Sequence, residues 1–109
     1  QLLGSAGLGD IGLHFPDTDP QYKNISSLKL LSRTNAMVRQ KGFTISNIDT
    51  IIFAEAPKIG PYRETMQKNL AQAVEVDPGC INIKATTPEG LGIIGKGEGI
   101  GAMAVVLVS

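Results

Sequence analysis

Ile81-Asn-Ile-Lys-Ala-Thr-Thr-Pro-Glu-Gly-Leu-Gly-Ile-Ile-Gly-Lys-Gly-Glu-Gly-Ile100 is the stretch on which the reading of this chain turns. Its first five residues alternate apolar and polar, as a half-buried strand does. Two hydroxyls, a proline and a carboxylate then interrupt the pattern, and glycines follow at 90, 92, 95, 97, 99 and 101. Such spacing lets the backbone approach a ligand or another backbone closely, at an entropic cost that a plain connector would not need. The side chains on offer, Thr86, Thr87, Glu89, Lys96 and Glu98, suit phosphate and a divalent cation better than an apolar ligand. Gly90, Gly92 and Gly95 spell GxGxxG, but a dinucleotide fingerprint needs a helix to open inside it. Here Gly97, Gly99 and Gly101 would each cost ~1 kcal/mol in a helix interior, and the residues that follow read as a strand. The dinucleotide fold is excluded. A P-loop is excluded too, because Gly95-Lys96 is followed by glycine rather than Ser or Thr.

Working outward, residues 100–108 form the last strand, and the unbroken apolar run from Met103 to Val108 predicts burial on both faces, in a subunit interface or under helices. Upstream, Asp77-Pro-Gly79 is a turn. A helix is predicted over residues 62–74, with Pro61 as its first residue, Glu64 in its first turn, and Met66, Leu70 and Ala73 on its buried side. Residues 43–45 and 48–53 are β-branched and aromatic and read as strand, with Ser46-Asn47 a bend or bulge. The segment 54–61 joins that strand to the helix, and Lys58 on it is well placed to meet an anion; a surface lysine without a role is the plain alternative.

Ser26 or Ser27 caps a second helix that runs to about Gln40, with Leu30, Leu31, Thr34, Met37 and Val38 on the core face and Gly42 as its left-handed stop. Lys29, Arg33 and Arg39 form its solvated face. Residues 9–20 are a polar loop rich in Asp and Pro, either a turn cluster or a ligand rim, and His14 reads as a loop surface residue. Residues 1–8 look like the end of a helix with neither initiator Met nor N-cap, so the chain is expected to be a fragment with something before Gln1. The expected fold is α+β: a single domain over 1–109, with helices packed against a mixed sheet.

Composition narrows the partners. Ten Lys and Arg balance ten Asp and Glu, which leaves no electrostatic footprint for nucleic acid or an anionic membrane. Cys80 and His14 are the only residues of their kinds, so neither an internal disulfide nor a zinc site built from this chain's own Cys and His is expected. No apolar run approaches the ~20 residues of a membrane span. A soluble protein is expected.

Five pieces in order, Asp10-Ile-Gly12, Phe15-Pro-Asp-Thr-Asp19, Ala56-Pro-Lys58, Lys84-Ala-Thr-Thr87 with Glu89, and Gly97-Glu-Gly-Ile100, resemble the methylerythritol cyclodiphosphate synthase family of the non-mevalonate isoprenoid pathway. The resemblance implies a homotrimer with active sites between subunits. It implies a reaction in which CDP-methylerythritol phosphate becomes a cyclic diphosphate and CMP is released. By position, Asp10, Ile11 and Gly12 would sit at the ribose. Phe15, Pro16, Asp17, Thr18 and Asp19 would close over the methylerythritol, with Asp17 or Asp19 on its hydroxyls. Ala54, Glu55, Ala56, Pro57, Lys58, Ile59 and Gly60 would hold the cytosine, Lys58 lying near the phosphates. Thr86, Thr87 and Pro88 would flank the diphosphate, Thr87 stabilising the transition state, and Glu89 would bind magnesium or manganese there.

The family usually has an aromatic residue at Ile93 and an arginine at Lys96, along the trimer axis near a cavity for an isoprenoid diphosphate, and often a threonine at Pro88. Its zinc-like site uses an Asp-x-His motif and a further histidine upstream of the segment matching Gln1, so that zinc's ligands are expected before Gln1 and none within this chain. Two other readings stand beside the enzyme: a non-catalytic trimeric module binding CMP or phosphate, and a structural domain whose glycine loop serves subunit packing. On the enzyme reading, Thr87→Ala lowers turnover far more than CMP affinity, measured by product formation and CMP titration; equal turnover in variant and parent removes Thr87 from the mechanism.

Overall fold

The computed structural model describes residues 1–16, 18, 19, 21, 26–54, 59–86 and 100–109. Two short helices, α1 (Leu2–Ser5) and α2 (Ile11–His14), precede the longer α3 (Ser27–Gln40). Strand β1 (Ile45–Phe53), a 3-10 turn (Gly60–Tyr62), helix α4 (Arg63–Val74), a second 3-10 turn (Pro78–Cys80), β2 (Ile81–Thr86) and β3 (Gly101–Val108) complete the order. The expected α+β class with a mixed sheet holds: the described strands are ordered β2-β1-β3, with β1 parallel to β2 and antiparallel to β3.

Both long helices begin and end for local reasons. The Ser26 side chain accepts a hydrogen bond from the Lys29 amide at 3.2 Å, satisfying one of the donors a helix start leaves open. At the other end Gly42 takes φ 95°, and the Gly42 and Phe43 amides reach back to the Arg39 and Val38 carbonyls. This paired closure returns Phe43 to the core beside Val38. Pro61 starts a 3-10 turn rather than α4 itself, which opens at Arg63. Helix α4 closes in the same way as α3, but on a non-glycine: Glu75 sits at φ 57°, and the Val76 amide donates to the Ala71 carbonyl at 3.0 Å. The Glu75 carboxylate meets Arg39 at 2.7 Å, so the two helix ends are joined.

The core lies between these helices and one face of the sheet. Val38, Val74, Ala71, Ile48, Ile52, Ile81 and Ile83 form it together with Leu2 and Ala6, and each large aliphatic side chain so buried contributes roughly 2 kcal/mol. On α4 the buried residues are Ala71 and Val74, with Met66 and Leu70 half-buried against them; Ala73, expected inside, turns toward an open groove beside α3. On α3 the core face includes Asn35, which the hydrophobic pattern passes over. It is 2% exposed, and its Nδ2 donates to the Val74 carbonyl at 3.0 Å. Its Oδ1 has no hydrogen-bond partner among the described residues.

Ile45 and Ile48 are both buried although an unbroken strand would send residues three apart to opposite faces. The expected bulge explains it. Ile45 pairs with Val108 and Asn47 with Leu107, so Ser46 is the extra residue, and its hydroxyl meets that of Ser109 at 3.0 Å. The predicted strand at 43–45 begins at Ile45, although Thr44 exchanges two backbone hydrogen bonds of 2.9 Å with Ser109.

The other sheet face is open in the single chain, so of the two covers expected for β3 the helices are absent there among the described residues. Val106 and Val108 pack on the core, but Met103, Val105 and Leu107 are 65%, 72% and 60% exposed, so no helix of the described residues covers them. Asp49 stands on that face in register with Val105 and Asn82. It accepts from Lys84 Nζ at 3.0 Å and Asn82 Nδ2 at 2.9 Å, bonds that hold its carboxyl below the usual range. That stabilisation is present above the carboxyl's unfolded value and is lost as pH falls through the lowered one.

Asn35→Asp puts a carboxylate against the Val74 carbonyl in the core and lowers stability by ~3 kcal/mol at neutral pH. Burial raises the new carboxyl's value, so the loss shrinks as the pH falls below the usual aspartate range, where the group is protonated and can donate. Thermal melts of variant and parent at two pH values check it.

Candidate active site at the carboxyl ends of the parallel strands

Strands β1 and β2 run side by side and end together. Phe53 pairs with Thr86, and the Ala54 amide donates to the Thr86 carbonyl at 3.1 Å. Phe53 also pairs with Gly101, where β3 begins. Carboxyl ends of parallel strands are where open sheets present ligand-binding loops. Segments 55–58 and 87–99 therefore depart from neighbouring points of one sheet edge. Ala54 is buried and fixed, whereas Thr86 is exposed. On the far side of segment 55–58, Ile59 is half-buried against the core, and its carbonyl accepts from the Tyr62 amide at 2.9 Å across the turn that holds Gly60.

A second group forms beside α3. Asp10 caps α2, its Oδ1 accepting from the Leu13 amide at 2.9 Å. Residues 9–20 are not loop throughout, as their composition suggests, because the capping carboxylate turns residues 11–14 into a helical turn. Asp10 and Ile11 lie on the wall of a cavity of about 560 Å³, which Leu30, Leu31 and Thr34 of α3 also line. The strand ends contribute nothing to that wall. Gly12 has room for a side chain, since a β-carbon there would lie 3.6 Å from Asp10 Oδ1, an ordinary contact. Phe15 and Pro16 are half-buried and Thr18 is exposed. The Asp19 amide donates to the Pro16 carbonyl at 3.1 Å. The Asp19 carboxylate accepts from the Gln21 side chain at 2.9 Å and the Gln21 amide at 3.1 Å, which hold it below the usual carboxylate range.

Of the residues singled out from sequence, Asp17, Glu55, Ala56, Pro57, Lys58, Thr87, Pro88, Glu89, Ile93 and Lys96 lie outside the described residues. The structure brings Ala54 and Thr86 together at one end of the sheet, whereas Ile59 and Gly60 belong to the turn that leads into α4. Asp10 and Ile11 lie on a wall shared with the first half of α3, and Gly12 follows them in α2. His14, read from sequence as a surface residue, is half-buried with its Nε2 on the Leu8 carbonyl. No sequence pattern announces such a bond, because it depends on the turn that Asp10 sets up. Among the described residues no three of His, Cys, Asp and Glu gather where they could hold a metal.

The model of the YgbB family matches residues 1–109. The chain belongs to the YgbB family. It is 55% identical over 107 residues to the 2-C-methyl-D-erythritol 2,4-cyclodiphosphate synthase of Clostridium acetobutylicum, covering 98% of this chain and 69% of that one. Among solved structures it is similar to the bifunctional IspDF of Campylobacter jejuni, with a TM-score of 0.92, 44% identity, and 98% of this chain and 29% of that one covered. It is also similar to a CDP complex of IspF from Plasmodium falciparum, with a TM-score of 0.83, 32% identity and coverage of 98% and 63%. The chain spans about two thirds of the length of the curated single-function relatives it matches.

Gly12→Ala separates a packing role from a ligand role. The site has space for the methyl group and the residue lies within a helical turn, so the thermal midpoint stays within about 0.5–1 kcal/mol of the parent's stability or rises slightly. CMP affinity falls if the backbone at residue 12 lies against the ligand, as titration calorimetry reads directly.

Proposed function

We propose that the protein converts 4-diphosphocytidyl-2-C-methyl-D-erythritol 2-phosphate to 2-C-methyl-D-erythritol 2,4-cyclodiphosphate and CMP in isoprenoid precursor biosynthesis, acting as a phosphorus-oxygen lyase in the cytoplasm. The observation that carries the reading is the shared strand end. The hydrogen bond from Ala54 to Thr86 joins the ends of β1 and β2, after which the chain continues into the residues proposed for the cytosine and for the diphosphate. The relatives' names and the CDP held by one of them support the same assignment.

In this reaction an oxygen of the substrate's 2-phosphate attacks the β-phosphorus of the CDP group. A bond forms there, the bond from that phosphorus to the oxygen bridging to the α-phosphate breaks, and CMP leaves with the electron pair. No protein nucleophile is needed, so the chain's task is to hold two phosphates in line and offset the charge that moves. Lys58 and Thr87 take those roles in the proposal, with Thr86 and Pro88 beside them. Glu89 is the proposed ligand for magnesium or manganese, which would neutralise charge on the diphosphate oxygens. Among the described residues no trio of His, Cys, Asp and Glu forms that would fit the zinc of the family. No step here is routed through it.

A homotrimer with sites between subunits belongs to the same proposal. One observation favours it: the exposed Met103, Val105 and Leu107 on one sheet face. A patch of this kind commonly marks an interaction surface.

Phosphorus NMR of the purified protein with substrate, zinc and magnesium tests the chemistry. Cyclic diphosphate and CMP appear together if the reading holds. A folded, metal-loaded protein that binds CMP without turnover is instead the non-catalytic nucleotide-binding module, and one that neither turns over nor binds CMP defeats both. Val105→Glu, at an exposed site, leaves the helical signal intact and abolishes assembly, as sedimentation reads; assembly unchanged by the buried charge rules this face out of the interface.

A further inference from the structure

We infer that His14 is a positioning residue for the nucleotide end of the site, acting through the backbone that carries Asp10; the inference rests on the proposed ribose contact of Asp10. The segment Leu8 to His14 is tied at both ends. Leu8 packs its side chain against the core, and its carbonyl accepts a hydrogen bond from His14 Nε2 at 2.5 Å, closing a loop across six residues. A carbonyl only accepts, so Nε2 carries the proton.

Within the loop, Gly9 takes φ 86°, and a β-carbon on it would come 3.1 Å from Leu13 Cδ2, which leaves little slack. Asp10 follows and caps Leu13 with Oδ1. One carboxylate oxygen is therefore taken by the helix, and a ribose hydroxyl is received by Oδ2. The direction of that oxygen depends on two constraints, the cap and the His14 strap. The cap alone fixes Asp10 relative to α2. The strap fixes α2 relative to Leu8 and hence to the core. Removing it lets the turn fray and the cap on Leu13 open more often, which weakens ligand binding without unfolding the domain.

The test compares parent, His14→Ala and His14→Gln by amide exchange and CMP titration. Glutamine places a donor nitrogen as many bonds from its β-carbon as histidine places Nε2. In His14→Ala the Leu13 amide exchanges faster and CMP binds about three- to tenfold more weakly, the scale of one hydrogen bond. The Val38 and Val74 amides, in the helices of the core, keep their protection. His14→Gln restores both readouts. Unchanged Leu13 exchange in His14→Ala, or faster exchange shared equally by Val38 and Val74, overturns the inference. Faster Leu13 exchange in a protein whose parent binds no CMP defeats the ribose role of Asp10 while leaving the strap itself demonstrated.

Discussion

Everything in this domain depends on β1 being the middle strand. Its backbone pairs with β2 on one side in parallel and with β3 on the other in antiparallel, so its polar groups are satisfied along both edges. A parallel partner needs a crossover, and α4 between β1 and β2 is the element that makes one. Because β1 and β2 run the same way, they end at the same edge, and the bond from Ala54 to Thr86 fixes how far apart the departing segments start. The site follows from strand direction before any side chain is considered.

The helical layer is held to the sheet by apolar packing and registered by a few polar groups. Val38 and Val74, both fully buried, set the depth of α3 and α4. Asn35 then binds the Val74 carbonyl, and Arg39 the Glu75 carboxylate, so that the ends of the two helices are matched over about one turn. The exposed ion pair adds little on its own, whereas the buried amide costs more to disturb, since a lone polar atom in the core carries its whole desolvation penalty. Gln67 does the same for β2: its Nε2 donates to the Pro78 and Ile81 carbonyls at 2.7 and 2.9 Å, tying the turn before the strand to α4.

On the open face the cluster of Asp49, Asn82 and Lys84 stands among Ile51, Met103 and Val105. In the proposed assembly a neighbouring surface would meet a carboxylate already bonded to two donors rather than a bare charge, and covering such a group is far less costly. The same bonds keep β1 and β2 in register across the face that lacks a core.

The local elements were legible because their causes are local. Ser26, Gly42 and the spacing from Leu30 to Val38 specify α3, the alternation from Ile81 to Lys84 specifies β2, and the bulge at Ser46 showed as a break in the apolar pattern. The candidate residues were found by their order along the chain, which motifs preserve. What sequence could not supply were facts created by distant segments meeting. The Val74 carbonyl makes Asn35 a core residue; the Leu8 carbonyl makes His14 a strap; and the single layer of helices leaves β3 covered on one side only, though its composition suits burial on both. Hydropathy records what a residue tolerates. Which neighbour it receives is decided by strand order and crossover, and those exist only in the folded chain.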